Sequence, residues 1–297
     1  MTIVVGIEPG QRNTAALSLA GTLAAMLREP VVAVSVIQFP DDMPSPLRVG
    51  MEDSELLALI ATGAIAQARA MLGDALVDAV AIRHRSVRSG LLEAVAERRG
   101  SHLVLGSNHD DGTGRVLIGP AADALLHAST VPVHLAPPAF RRSQGERPVH
   151  RLTVGFGPGD GSGIALRVAA GLADQADATV RTATFYVRPP KLGPWAGGGG
   201  GLSYEAQLAA QWREQMEATV KKAVDTLGDE LGERRWIHTD FGQGSVWPEA
   251  IDSIPWEPDE ILVLGSRPRG GVRGVFLGSN AAEIVRSSVV PVMVLPG

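Results

Sequence analysis

"IVVGIEPG" (Ile3–Gly10) and "LTVGFGPG" (Leu152–Gly159) are one phrase written twice in a chain of 297 residues. Each starts as a short continuous apolar run, the pattern of a strand buried on both faces, and ends in a Gly/Pro turn. The echo continues outward. "HLVLGS" (His102–Ser107) matches "ILVLGS" (Ile261–Ser266), and "STVPVHLAPP" from Ser129 matches "SVVPVMVLPG" from Ser288. Gly6 and Gly155 are 149 positions apart, whereas Gly106 and Gly265, Gly119 and Gly278, and Pro132 and Pro291 are each 159 apart. The second copy therefore carries a net insertion between its first strand and its GS element. "PPKLGPWAGGGGGLSY" (Pro189–Tyr204), with five consecutive glycines, is its expected place and reads as a flexible segment.

The chain reads as two duplicated domains, 1–138 and 150–297, with a Pro- and Arg-rich linker over 139–149. Within each half, strands alternate with helices. Ala16, Leu19, Ala20, Leu23 and Leu27 share one helical face in the first half; Leu166, Ala169, Ala170 and Ala173 do so in the second. That order predicts α/β domains, each an open five-stranded parallel sheet with helices on both faces, of Rossmann type. Ligands of such sheets bind beyond the carboxyl ends of the strands, where strand order reverses. "GIEPG", "GFGPG" and the loops after both GS elements fall on that edge. The strands "VPVHLA" and "VPVMVL" offer apolar edges, so the halves are expected to pair as an intramolecular pseudo-dimer, or the chain as a homodimer.

A net charge of −5 argues against general nucleic-acid or anionic-membrane binding, and the absence of cysteine excludes disulfides and thiolate metal sites. "MTIVVGIEPG" has no basic n-region and reads as a strand, not a signal peptide; "LLALIATGAIAQARAML" (Leu56–Leu72) reads as too short and polar to span a bilayer. A cytoplasmic location is the resulting expectation. The seven histidines show no ligand spacing, His109-Asp110-Asp111 reads as a solvated loop, and no metal is expected. Trp212 and Met216, four apart in a polar helix, read as its packing stripe.

"LGSRPRGGVRGVFLGSNAAEI" (Leu264–Ile284) carries the densest chemical signal. A Gly-rich turn opening a helix suits an anion. The spacing is Gly265, two residues, Pro268, nine residues, Gly278, Ser279; the first half has Gly106, His109, Gly119 and Pro120 at the same intervals. It is not a Walker A loop, since no Gly-Lys pair exists, and G-x-G-x-x-G, H-E-x-x-H and G-x-S-x-G are absent.

These loops, with the "VPV" strands and both phrases, resemble the universal stress protein family in a tandem two-domain form. The resemblance covers nearly the full length of both halves. ATP-binding members of that family carry Gly, two residues, Gly, nine residues, Gly, Ser/Thr after the fourth strand, and an aspartate ending the first strand holds adenosine. It implies a non-enzymatic stress-response protein binding ATP or another adenine nucleotide, with or without Mg²⁺. The implied nucleotide positions are Gly265, Arg267, Gly278, Ser279 and Asn280 in the second half, and Glu8, Val36, Gly106 and Gly119 in the first.

This sequence departs from the family pattern differently in each half. Glu8 replaces the aspartate in the first, and Gly157 in the second. Pro268 replaces a loop glycine, fixing φ near −65° where glycine would let the backbone approach a phosphate. The second loop is formally +3, through Arg267, Arg269 and Arg273; the first is −1, with Asp110 and Asp111 against Arg115. Pro120 also removes the hydroxyl and an N–H. On these grounds the second half is expected to grip phosphate better and the first half the ribose. Plain structural readings stand beside these: Gly106 and Gly265 as tight-turn residues, the arginines as a solvated loop, and Glu8 as a local partner. An alternative function of the same family is a nucleotide-free dimerising scaffold.

Overall fold

In a computed structural model, residues 1–38, 53–107, 112–142, 148–157, 160–188, 201–228, 236–266 and 278–296 are described. The first half runs β1 (Thr2–Gly6), α1 (Thr14–Leu27), β2 (Val31–Ile37), α2 (Asp53–Leu72), β3 (Leu76–Arg83), α3 (Val87–Glu97), β4 (Gly100–Gly106), α4 (Pro120–Leu126) and β5 (Val133–Ala136). The second repeats it with β6 (Arg151–Gly155), α5 (Asp160–Ala176), β7 (Thr179–Val187), α6 (Gly201–Leu227), β8 (Trp236–Gly244), α7 (Trp247–Asp252), β9 (Glu260–Gly265), α8 (Ser279–Ser287) and β10 (Val292–Leu295). The repetition reaches the backbone: Arg28 after α1 and Asp177 after α5, again 149 apart, are both left-handed, at φ 56° and 52°. Each leaves its helix by the same turn.

Strand order is β3-β2-β1-β4-β5 in the first half and mirrors this as β10-β9-β6-β7-β8 in the second. All pairs within a half are parallel, joined by strand–helix–strand crossovers. Across the seam β5 and β10 pair antiparallel, with Val292 opposite Leu135, Met293 opposite His134 and Val294 opposite Val133. The expected pseudo-dimer strands therefore meet, and two five-stranded sheets become one of ten. Each fifth strand covers the other's edge.

Side chains alternate across this sheet. Ile3 and Val5 join the core beneath α1, α2, α5 and α6, whereas Val4 joins the opposite core beneath α3, α4 and α8. Helix α1 is buried on more than its predicted face: Ala15 and Leu17 are buried as well as Ala16, Leu19, Ala20 and Leu23. It is enclosed because α2 and α5 pack against it as well as the sheet. Leu166, Ala169, Ala170 and Ala173 are all buried as expected.

Three local expectations change. Gly201–Tyr204 belongs to the start of α6, so only Pro189–Gly200 of the expected flexible insertion remains, and it lies outside the described residues. The linker is not wholly free, since Val149 is fully buried and Phe140 packs on the core. Finally, the segment Glu55–Ala75 is long and apolar enough by length and composition to cross a membrane, contrary to the sequence reading. Its buried Leu56, Ala61, Ala64, Ala68 and Leu72 show why it is apolar: α2 covers a sheet whose own strands are apolar on both faces. Trp212 does pack, tilted against Tyr186 at 5.4 Å and edge-on to Phe241 at 6.1 Å, with Met216 buried one turn on.

Candidate functional site

In the first half, β1 is flanked by β2 on one side and β4 on the other, and strand order reverses between β1 and β4. A cavity of about 800 Å³ opens there, at the carboxyl ends of the strands. This is the size expected of a small-molecule site. Ile7, Val34, Val36, Leu91 and Leu105 give it apolar walls, and Glu8, Arg12, Gln38 and Ser107 supply polar groups. All four first-half positions implied by the resemblance line it: Glu8, Val36, Gly106 and Gly119.

The loop after β1 owes its shape to Asn13, a buried residue that the sequence reading missed. Its Oδ1 accepts the Glu8 N–H at 2.8 Å, and its Nδ2 donates to the Glu8 carbonyl at 3.0 Å and that of Gln11 at 3.2 Å. One amide thus closes a five-residue loop and leaves the Glu8 side chain at the cavity. The second half does the same with Ser162, whose hydroxyl accepts from the Gly157 N–H at 3.0 Å and donates to the Gly157 carbonyl at 2.9 Å. Asn13 and Ser162 are themselves 149 apart, so the shared offset was the signal available.

The loop after β4 is pinned by Ser107. Its hydroxyl donates to the Ala136 carbonyl at 3.0 Å and accepts the Leu117 N–H at 2.9 Å. Residues 116–119 are thereby held over the cavity, with Gly119 preceding α4 in extended conformation at φ −76° and ψ 169°. A Cβ on Gly106 would stand 3.2 Å from the Ala16 Cβ, so glycine here lets the start of α1 approach β4 closely.

The second-half edge is built more tightly. A Cβ on Gly265 would meet the Gly161 carbonyl oxygen at 1.9 Å, and one on Gly161 would meet the Ser266 carbonyl oxygen at 2.7 Å. The start of α5 therefore lies directly on the end of β9, and Gly265 has a packing role whatever it binds. Gly278 precedes α8, which Ser279 and Asn280 open, both exposed. Arg267, Pro268, Arg269 and Arg273 lie outside the described residues, as do His109, Asp110 and Asp111. Among the described residues no cluster of side chains suits a metal ion.

Two buried polar groups lie away from the cavity, and spacing did not reveal either. His102 on β4 and His134 on β5 meet Nδ1 to Nε2 at 2.9 Å beside the seam. Burial lowers the pKa of His102, with Glu29 opposing, and holds His134 well below the usual histidine range, with His102 adding to the effect. In the second half Glu260, fully buried on β9, takes Arg181 at 2.8 Å and Arg151 at 2.7 Å. Arg181 also pairs with Asp240 at 2.5 Å and lies 5.0 Å above the Trp256 ring. Arg151 and Glu260 open β6 and β9, Arg181 and Asp240 extend the network across β7 and β8, and together these charges serve the packing of the second half.

The fold and cleft define a tandem α/β protein with a ligand-sized opening at its first topological switch point. A family model described as "Universal stress protein family" matches residues 1–137 and again 148–296, and the chain belongs to that family. It is 34% identical over 307 residues to a universal stress protein of Mycobacterium tuberculosis, with all of both chains covered. The solved structure of a universal stress protein from Archaeoglobus fulgidus shares the fold at a TM-score of 0.60 and 15% identity, covering 98% of this chain and 97% of that one. Another from Archaeoglobus fulgidus, solved in complex with dAMP, covers 46% of this chain and 97% of its own at 16% identity and a TM-score of 0.33.

Proposed function

We propose that this protein is a non-enzymatic adenine-nucleotide sensor or regulator whose site is the first-half cavity. The observation that carries this reading is the cavity of about 800 Å³ at the β1–β4 switch point, lined by Glu8, Val36, Gly106 and Gly119 together. Its apolar walls suit a planar base, and its polar mouth suits ribose and phosphate. Glu8 stands where the family's adenosine-holding aspartate stands, one methylene longer on the same carboxylate. Mg²⁺, if bound with ATP, would be held through the phosphates.

The sequence favoured the second half for phosphate on account of three arginines that lie outside the described residues. The tight contact of Gly161 with Gly265 supports a different division of labour, with the second half as scaffold and the first as ligand domain. Titration calorimetry with ATP and Mg²⁺ tests this. One ATP per chain is expected, lost when Val36→Trp fills the cavity and retained when Ser279→Ala alters the second-half loop. Binding that survives Val36→Trp and disappears in Ser279→Ala would reverse the assignment. Steady ATP turnover by the purified protein would refute the non-enzymatic reading.

A further inference from the structure

The first-half cavity is not built by the first half alone. Arg286, on α8 of the second half, forms part of its wall. The connection runs through the loop before α4, which crosses the seam. The Val116 N–H donates to the Ser288 carbonyl at 3.0 Å, Arg115 Nη1 donates to the Ser287 carbonyl, and Arg115 Nη2 pairs with Asp252 at 2.5 Å. These contacts bring the last turn of α8 to the rim of the cavity.

They also rearrange charge. The arginine of the first-half loop is committed to the second half, and the helix following that loop opens with Pro120, which has neither an N–H nor a hydroxyl to offer. Among the described residues, the cations lining the cavity are Arg12 from the β1–α1 loop and Arg286 from across the seam. Arg286 is half exposed and is held by a long ion pair of 3.3 Å to the half-exposed Glu283. Such a pair is weak in water, and a phosphate offering two oxygens to the guanidinium fork would displace it.

We propose that Arg286 is a phosphate ligand of the first-half site, which is therefore composite and distinguishes a phosphorylated nucleotide from its nucleoside. The proposal rests on the nucleotide reading above and adds what the second half contributes to it. Since α8 leads directly into β10, the strand paired with β5, a phosphate held by Arg286 also ties ligand binding to the seam between the halves.

Calorimetric titrations with ATP plus Mg²⁺ and, separately, with adenosine test this on the full chain and three variants. Arg286→Ala is expected to lower ATP affinity about tenfold or more while leaving adenosine within about twofold, the signature of a lost charge-assisted contact to phosphate. Arg286→Lys should recover part of the loss, since an ammonium keeps the charge without the fork. Glu283→Gln, which frees the guanidinium, should raise ATP affinity a few-fold. An unchanged ratio of ATP to adenosine affinity in both Arg286→Ala and Glu283→Gln would overturn the proposal and leave the nucleotide reading standing. Wild-type protein that binds neither compound would overturn both.

Discussion

Replacing Asn13 by alanine tests whether the shape of the cavity mouth depends on one side chain. The amide is 8% exposed and makes two close bonds to Glu8, at 2.8 and 3.0 Å, with a third to Gln11 at 3.2 Å. It makes no side-chain cap to α1, so no helix-capping contribution is lost with it. Two net hydrogen bonds at about 1 kcal/mol each give a destabilisation of at most about 2 kcal/mol, because Glu8 is exposed and water can replace part of the bonding. For a domain of 150–250 residues that is a fall of roughly 4–8 °C in Tm. Nucleotide affinity should fall with it, because the Glu8 loop is no longer held. The second half supplies a control: Ser162 does the same work with a hydroxyl, so Asn13→Ser should recover about half of the lost stability. Scanning calorimetry and ATP titration on the three proteins would measure this. Asn13→Ala with wild-type melting and wild-type affinity would refute the reasoning.

The buried histidine pair predicts a pH effect. Both pKa values lie below the unfolded value of about 6.5, so the unfolded chain binds more protons just under that pH. Their contribution to stability is complete above about pH 6.5 and is lost as the pH falls toward the folded values; melting curves from pH 8 to 5 should show it, and His134→Met, copying Met293 opposite, should flatten it. Glu260→Ala removes the shared counter-charge of Arg181 and Arg151, leaving each its second partner, Asp240 and Glu257, and should cost about 1.5–3 kcal/mol in urea unfolding, felt in the second half. Gly265→Ala places a methyl group against the backbone of Gly161 and should cost about 1–3 kcal/mol, whereas Gly278→Ala, with nothing within 4 Å, should stay within about 1 kcal/mol. Equal effects of those two substitutions would remove the packing account of the second-half edge.

The doubling of the fold was legible because each strand phrase is local: "IVVGI" and "LTVGF" declare buried strands, and their order with the helices dictates a parallel sheet. The β5–β10 seam was legible from the apolar "VPV" strands, each of which ends the sheet of its own half with one edge unpaired. The difference between the halves was not. It depends on how close α5 comes to β9, a matter of Gly161 and Gly265 meeting across 104 positions, and single glycines do not announce their neighbours. Arg181 and Glu260 meet because β7 and β9 flank β6, which no spacing rule conveys. For the site, Glu8, Val36, Gly106 and Gly119 were reached through the family pattern, but Asn13 and Ser107 act through backbone carbonyls and amides that the sequence does not display. Arg286 was out of reach, since its place at the first-half cavity exists only once the halves are joined.

The claim that the first half is the ligand domain is tested most directly by photolabelling with an azido analogue of ATP, followed by mass-spectrometric mapping of the labelled peptides. The account predicts label on peptides from residues 1–38 or 112–126, one per chain, suppressed by excess ATP. Label confined to residues 150–266, or label that excess ATP does not suppress, would contradict it.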